Sequence, residues 1–421
     1  MKNADYFKHK KITVVGFGRS GLACANLLSD LGAQVSITDN QDNPATRSNA
    51  AKLKPGIKSE LGLHSRDFIK ERDLVVVSPG VADTSGPIIW AKAAGIPILS
   101  EIEVGWRLCP AEVVAITGTN GKTTVTTLIG EILAAAGKKV FICGNIGNPF
   151  CREVSKMQRG DFVSLEVSSF QLEYIHTFKP KIALILNLSL NHLDRYRNMQ
   201  DYLEAKKRIF RHQDQGDYLI LNQGDPLVSD LAKEARAKVV YFSQGQGLNS
   251  NHAAALAATS LLGIDKDLAL RVFREFKGVE HRLENVAKIN QVTFINDSKA
   301  TTVDATFWAL KNISAPVILI AGGREKGNDY RLLLDLARKK LKAAVLIGEA
   351  KDKISAVLAD FLPVNRANSL EEAVNLAFSK AAAGDCVLLS PMCKSFDMFQ
   401  DYEDRGRAFK KIVQDLLKKE S

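Results

Sequence analysis

The sequence is short of the features that mark exported, membrane-spanning and nucleic-acid-binding chains. Its 421 residues include six cysteines, Cys24, Cys109, Cys143, Cys151, Cys386 and Cys393, and no two stand at CxxC spacing. They read as reduced, mostly buried thiols, so a cytoplasmic location is expected. No apolar run approaches the roughly 20 residues that a membrane-spanning helix needs, and no membrane partner is expected. Met1 to Lys11 is polar and lacks the apolar centre of a signal peptide. Low-complexity segments and short-period repeats are absent too. Lys and Arg outnumber Asp and Glu by 57 to 47, a net charge of +10. These cations are spread along the chain without an aromatic-interleaved stripe, so no nucleic-acid partner is expected. Such a charge also suits an enzyme that handles several anionic substrates at once.

What is present is enough for several cores. A chain of 421 residues predicts two to four domains, and 46% hydrophobic with 25% charged residues is ordinary for a globular protein. The organising stretch is the apolar run Val113–Ile116, the turn Thr117-Gly118-Thr119-Asn120-Gly121, and then Lys122-Thr123-Thr124. A helical pattern follows through Val125, Leu128, Ile129, Ile132 and Leu133 to Gly137. Strand, tight turn and helix N-terminus together make an anion site, because turn N–H groups and the helix dipole point at one place. Lys122 adds a charge that reaches terminal phosphates, and the Thr123 hydroxyl is placed to ligate Mg²⁺. The usual first glycine of a P-loop is Ile116 here, so the loop is a short variant that starts at Gly118.

Upstream, Lys11–Val15 reads as a strand, Gly16-Phe17-Gly18-Arg19-Ser20-Gly21 as a phosphate turn, and Val35–Thr38 as a second strand ending at Asp39. This is a dinucleotide fingerprint, though any pyrophosphate exploits the same turn. Strands at Leu74–Val77, before Ser78-Pro79-Gly80, and at Ile96–Leu99 complete a first domain, residues 1–100. Strands at Val140–Cys143, Phe162–Leu165, Ile182–Leu186 and Tyr218–Leu221 belong to a second, residues 101–278. Val292–Ile295, Val317–Ile320, Ala344–Ile347, Cys386–Leu389 and a closing helix from Tyr402 to Leu417 make a third, residues 279–421. The expected fold is α/β with three domains in series. The first is Rossmann-like, the second a doubly wound P-loop ATPase-like domain, and the third Rossmann-like again.

Most candidate chemistry sits where strands end. Asn145, in Gly144-Asn145-Ile146-Gly147, reads equally well as a plain turn residue. Glu166 closes a buried strand near the ATP loop, where a Mg²⁺ ligand belongs. His192 and Asp194 follow the strand Ile182–Leu186, and although a lone histidine is more often structural, the position of His192 suits a metal or substrate role. Lys206 reads differently. The helical pattern buries Tyr202, Ala205, Ile209 and Phe210, and the residues alone make Lys206 a solvated helix lysine. Arg282 is placed to grip a phosphate. Three polar loops, Asn296–Thr301, Ala321–Gly327 and Leu389–Asp397, leave one predicted sheet edge and suit a small carboxylated substrate.

The wording of these stretches resembles the Mur ligase family. The markers are TGTNGKTT (117–124), EVSSFQLE (166–173), NHLDRY (191–196), EAKKRIF (204–210), NDSKAT (296–301), GGREK (322–326) and LSPMCKSFD (389–397). The match covers essentially the whole chain, and the last motif is most similar to the branch that adds D-glutamate. The resemblance implies an ATP-dependent ligase that adds D-glutamate to UDP-N-acetylmuramoyl-L-alanine through an acyl phosphate, in peptidoglycan synthesis. It assigns the UDP-sugar to Gly18, Arg19, Ser20, Asp39, Gly80 and Asn145. It assigns ATP to Gly118, Thr119, Asn120, Gly121, Lys122, Thr123 and Thr124, with Asn251, Arg282 and Asp297. Two Mg²⁺ would be held by Thr123, Glu166, His192 and a carbamylated Lys206, the last three catalytic together with Lys122. Thr301, Lys326, Ser395 and Phe396 would take D-glutamate. A monomer is expected. The chain departs from the family pattern at Ala254, Thr302, Lys394 and Tyr402. Other readings of the same residues are a sister Mur ligase, a folylpolyglutamate synthase, or an NAD-dependent dehydrogenase built on GFGRSG and Asp39. The dehydrogenase leaves the ATP loop and Glu166 unexplained.

Overall fold

The computed structural model describes residues 1–189, 195–245, 247–325 and 327–420. Among them the chain forms three sheets and divides into two compact units, Met1–Phe276 and Lys277–Ser421.

The first sheet holds β1 (Lys11–Val15), β2 (Gln34–Asp39), β3 (Lys58–Leu61), β4 (Leu74–Val77) and β5 (Ile98–Ser100). All are parallel, in the order β3-β2-β1-β4-β5. The direction of winding reverses between β1 and β4, so the turns after these two strands open a crevice at the carboxyl edge. The second sheet holds β6 (Glu112–Thr117), β7 (Val140–Gly144), β8 (Phe162–Glu166), β9 (Ile182–Ile185), β10 (Tyr218–Asn222) and β11 (Lys238–Phe242). It too is parallel, in the order β11-β10-β9-β6-β8-β7. The phosphate loop therefore leaves a central strand whose neighbours end in Glu166 and Ile185. The second unit holds β12 (Glu284–Ile289), β13 (Val292–Asn296), β14 (Val317–Gly322), β15 (Leu341–Ile347), β16 (Val364–Arg366) and β17 (Cys386–Leu389). Their order is β12-β13-β17-β14-β15-β16, and the β12–β13 pair is antiparallel.

Central strands are apolar throughout because helices cover both faces of a parallel sheet. Successive residues of β6 point to opposite sides. Val114 and Ile116 join Val125, Leu128, Ile129, Ile132 and Leu133 of the helix Lys122–Ala135, with Ala254, Ala255 and Ala258 of the helix Ser250–Leu261 behind them. Val113 and Ala115 join a core that runs without a break to Ile12 and Val14 of the first sheet. Each large aliphatic side chain so buried contributes roughly 1.5–3 kcal/mol. That shared core explains why two sheets lie in one compact unit. Ala254, where the family pattern has a polar residue, is fully buried in this packing. All six cysteines are buried, and none is in a disulfide. Among the described residues, no helix is long and apolar enough to cross a membrane.

The helix Glu101–Leu108 carries two buried carboxylates with opposite surroundings. Glu103 accepts from the backbone of His176, Thr177 and Phe178, from the Thr177 hydroxyl and from Arg107. Glu101 accepts from the Cys151 N–H at 2.6 Å, and its Oε2 has no partner among the described residues. Burial pushes Glu101 up from 4.5 to about 7. The folded state therefore holds a proton that the unfolded chain releases, and stability falls as pH rises between these two values. Glu101→Gln should stabilise the protein at about pH 8, by on the order of 2 kcal/mol, and have little effect at about pH 5. Melting curves of both proteins at the two pH values test this. A variant that is equally destabilised at both would contradict it.

Candidate functional site

At the edge of the second sheet, Gly121 caps the helix Lys122–Ala135 with φ of +83°. A side chain there would be strained and would also meet Asn251 Oδ1 at 2.5 Å. Asn251 thus lies against the phosphate loop. Lys122 Nζ donates to the carbonyls of Gly118 and Thr119, each at 2.9 Å. Thr123 is buried in the first helical turn. The chain leaving β9 pins the loop from the other side. Thr119 N donates to Asn187 O at 3.0 Å, Asn120 N to Asn187 Oδ1 at 2.8 Å, and Asn187 Nδ2 returns a bond to Asn120 O at 3.0 Å. Asn187 was not among the expected functional residues. Its signal in the sequence is a lone amide directly after the apolar run that neighbours the loop strand.

Glu166 ends β8 opposite Ile116 and is 1% exposed. Its Oε1 accepts from Asn145 Nδ2 at 2.8 Å, and its backbone carbonyl accepts from Asn145 N at 2.9 Å. Oε2 is buried and has no partner among the described residues. The turn after β7 therefore places Asn145 directly on Glu166.

Lys206 corrects the reading of a solvated helix lysine. It is 1% exposed, in the helix Met199–Lys207. Tyr202, Ala205, Lys206 and Ile209 share one helical face, and only the charge of Lys206 argued for solvent. Its neighbour Lys207 takes the surface role, paired with Glu204 at 2.8 Å and Glu234 at 2.5 Å. Lys206 Nζ donates to Gly118 O at 2.9 Å and Thr117 Oγ1 at 3.3 Å. Burial first, and then the charge of Lys122, hold its amine well below the ordinary lysine range, with Glu166 pulling the other way. His192 and Lys326 lie outside the described residues.

At the edge of the first sheet, Asp39 accepts from Phe17 N at 2.6 Å and Gln41 N at 2.9 Å. Ser78 Oγ donates to Gly16 O at 3.1 Å, so the turns after β1 and β4 touch. Gly18, Arg19 and Ser20 start the helix that follows, and Gly80 is exposed in the turn after β4. These residues are brought to one edge. A residue without a foreseen role links this edge to the second sheet. Arg195 donates to Val81 O at 2.9 Å and Pro79 O at 3.4 Å while gripping Glu173 through two nitrogens.

In the second unit, three loops leave one sheet edge and are tied by backbone bonds. Met392 N donates to Ala300 O at 2.9 Å, Gly322 N to Pro391 O at 2.8 Å, and Arg324 N to Lys394 O at 2.8 Å. Thr301 is half-buried, Ser395 buried and Phe396 56% exposed. Asp297 is buried, accepts from Ser390 Oγ at 2.8 Å, and is pushed by burial up to about 7 against the pull of Arg282. Arg282 lies 5.8 Å from the Trp308 ring centroid.

Comparison with known proteins covers all three sheets. A MurD-like N-terminal domain of Mur ligases matches residues 10–100, the Mur ligase middle domain 116–272, and the glutamate ligase domain of Mur ligases 281–393. The UDP-N-acetylmuramoylalanine–D-glutamate ligase of Geotalea uraniireducens is 42% identical over 443 aligned positions, 97% of this chain and 98% of the relative. The protein of that name from Caldanaerobacter subterraneus is 39% identical, over 97% and 99% of the two chains. Among solved structures, the UDP-N-acetylmuramate-alanine ligase of Thermotoga maritima has a TM-score of 0.61 at 21% identity, over 97% of this chain and all of that one. The MurF ligase of Thermotoga maritima, in complex with ADP, has a TM-score of 0.60 at 15% identity, over 100% and 98%. These two likenesses speak for the fold, and the full-length relatives for the descent. The chain belongs to the Mur ligase family.

Proposed function

We propose that this chain is an ATP-dependent ligase that joins D-glutamate to UDP-N-acetylmuramoyl-L-alanine in peptidoglycan synthesis. The full-length relatives named for that reaction support the substrates. The observation that carries the chemistry is the second-sheet edge, where the phosphate loop, Lys122, Thr123, Glu166 and Lys206 converge. In this reading the UDP-sugar takes Gly18, Arg19, Ser20, Asp39 and Gly80, with Asn145. D-Glutamate takes Thr301, Lys326, Ser395 and Phe396.

A carboxylate is a poor electrophile, and ATP overcomes this. The acceptor carboxylate attacks the γ-phosphoryl group, giving an acyl phosphate and ADP. The amine of D-glutamate then adds to the acyl carbon. The tetrahedral adduct expels inorganic phosphate, and the nitrogen loses its proton as the amide forms. The protein's part is positioning and charge balance. Lys122 and the loop N–H groups that Asn187 does not use would meet the phosphates, and Asn187 keeps the loop in register through its bonds to Asn120. The buried Oε2 of Glu166, which has no partner among the described residues, and the hydroxyl of Thr123 are hard donors that fit Mg²⁺. When bound, Mg²⁺ neutralises phosphate charge. His192 and a carbamylated Lys206 would hold a second ion. Lys206 suits that change because burial disfavours its ammonium form. The free amine adds CO₂, releases one proton and leaves an anionic carbamate with two hard oxygens.

The direct test is ADP formation with amino acids supplied one at a time. Turnover should require both D-glutamate and the UDP-muramoyl acceptor. A different amino acid in that place would favour a sister ligase or a folylpolyglutamate synthase.

Lys122→Ala should abolish turnover yet bind the UDP-sugar as the wild type does, because the sugar nucleotide belongs to the first sheet. Calorimetry separates the two, and a parallel loss of ATP and UDP-sugar affinity would contradict the division.

Lys206→Ala should lose at least ~100-fold in kcat, and Lys207→Ala less than ~3-fold, at unchanged melting temperature. A short added carboxylate should partly restore Lys206→Ala. Equal losses in the two variants would remove Lys206 from the site.

A further inference from the structure

Arg405 is among the largest fully buried side chains, in the first turn of the helix Tyr402–Glu420. A guanidinium taken from water normally meets a carboxylate, since its burial is otherwise costly. The hydrogen bonds of Arg405 run instead to neutral oxygens, and the Asp397 carboxylate favours its charge without a direct bond. Nε donates to Ser298 Oγ at 3.0 Å, Nη2 to Ser298 O at 2.9 Å, and Nη1 and Nη2 both to Cys393 O at 3.3 Å. A side chain added at Gly323 would lie 3.2 Å from Nη1, so the third loop also closes on this group. The helix is seated here by two more bonds, Ser298 Oγ to Tyr402 O at 2.8 Å and Asn296 Nδ2 to Gly406 O at 3.3 Å.

We propose that Arg405 is the positioning residue of the amino-acid pocket, a buried fork that fixes the separation of the loops carrying Thr301 and Ser395. The inference rests on reading that pocket as the amino-acid site. Ser298 lies three residues before Thr301, and Cys393 two before Ser395. A substrate with two carboxylates needs donors at a fixed spacing, and beyond their backbone bonds and the Ser390–Asp297 bond the loops carrying Thr301 and Ser395 are tied through Arg405. One planar cation with several donors in fixed geometry sets it well, and a lysine does not, because its single nitrogen cannot span both carbonyls with the same geometry. A buried guanidinium whose hydrogen bonds go to the hydroxyl and carbonyls of two loops makes sense as a device for loop register.

Arg405→Lys keeps the charge and removes the fork. It should raise the KM for D-glutamate ~10-fold or more, with KM for ATP and for the acceptor within ~2-fold of wild type. Ser298→Ala removes one contact and leaves the guanidinium, and should raise the D-glutamate KM alone by a smaller factor, ~3-fold. A general loosening of the fold would instead shift all three KM values and the melting temperature together. If Arg405→Lys does not fold, Ser298→Ala decides by the same criterion. A folded variant with unchanged D-glutamate KM, or with D-glutamate and ATP KM raised equally, overturns the proposal. If wild type fails with D-glutamate but uses another amino acid, the functional reading falls, and that amino acid replaces D-glutamate in the comparison. If no amino acid supports turnover, both readings fall.

Discussion

Two lysine amines share one carbonyl oxygen at the centre of this site. Lys122 and Lys206 each donate to Gly118 O at 2.9 Å, and Lys206 does so from a fully buried position. Two ammonium ions that close repel by several kcal/mol in a poorly screened interior. Among the described residues Lys206 makes no ion pair of the kind that Glu204 and Glu234 give Lys207. The tension is relieved if Lys206 is not an ammonium, and burial together with Lys122 drives it in that direction. The same neighbourhood holds a carboxylate oxygen, Glu166 Oε2, with no partner among the described residues. A buried amine crowded by a second lysine, and a buried carboxylate with one oxygen unused by the described residues, do little for stability.

The rest of the first unit serves to hold that place. β6 lies between β8 and β9, so the loop that leaves it has Glu166 on one side and Asn187 on the other. Asn187 fixes the loop by a reciprocal amide pair, and Asn145 fixes Glu166. Arg195 extends the framework to the turn after β4, so the edges of the first two sheets are joined by hydrogen bonds as well as by a common core. In the second unit Arg405 has the corresponding part: a buried cation that organises loops from within.

Much of this was legible before any coordinates. Central strands of parallel sheets are covered on both faces, so they appear as unbroken apolar runs, and the polar residue that ends each run marks the functional edge. The strands that escaped notice, β3, β11, β12 and β16, are all at sheet edges, where one flank meets solvent and the run is diluted. The charge of Lys206 taken alone points to solvent, while the spacing of Tyr202, Ala205 and Ile209 places it on the buried face. Asn187, Arg195 and Arg405 were missed for a different reason. Their partners lie 67, 114 and 107 residues away, so a local signal such as the lone amide Asn187 marks a position without reporting its contact. Glu101 and Glu103 make the same point, since two residues separate a carboxylate with many donors from one with almost none.

The central claim is that the buried Lys206 amine is converted to an anion that completes the phosphate and metal site. Carbon-13 NMR of the protein equilibrated with labelled bicarbonate tests it most directly. The account predicts one protein-bound carbamate resonance that is retained in Lys207→Ala and lost in Lys206→Ala. No such resonance in the wild type, or one that persists in Lys206→Ala, would contradict it.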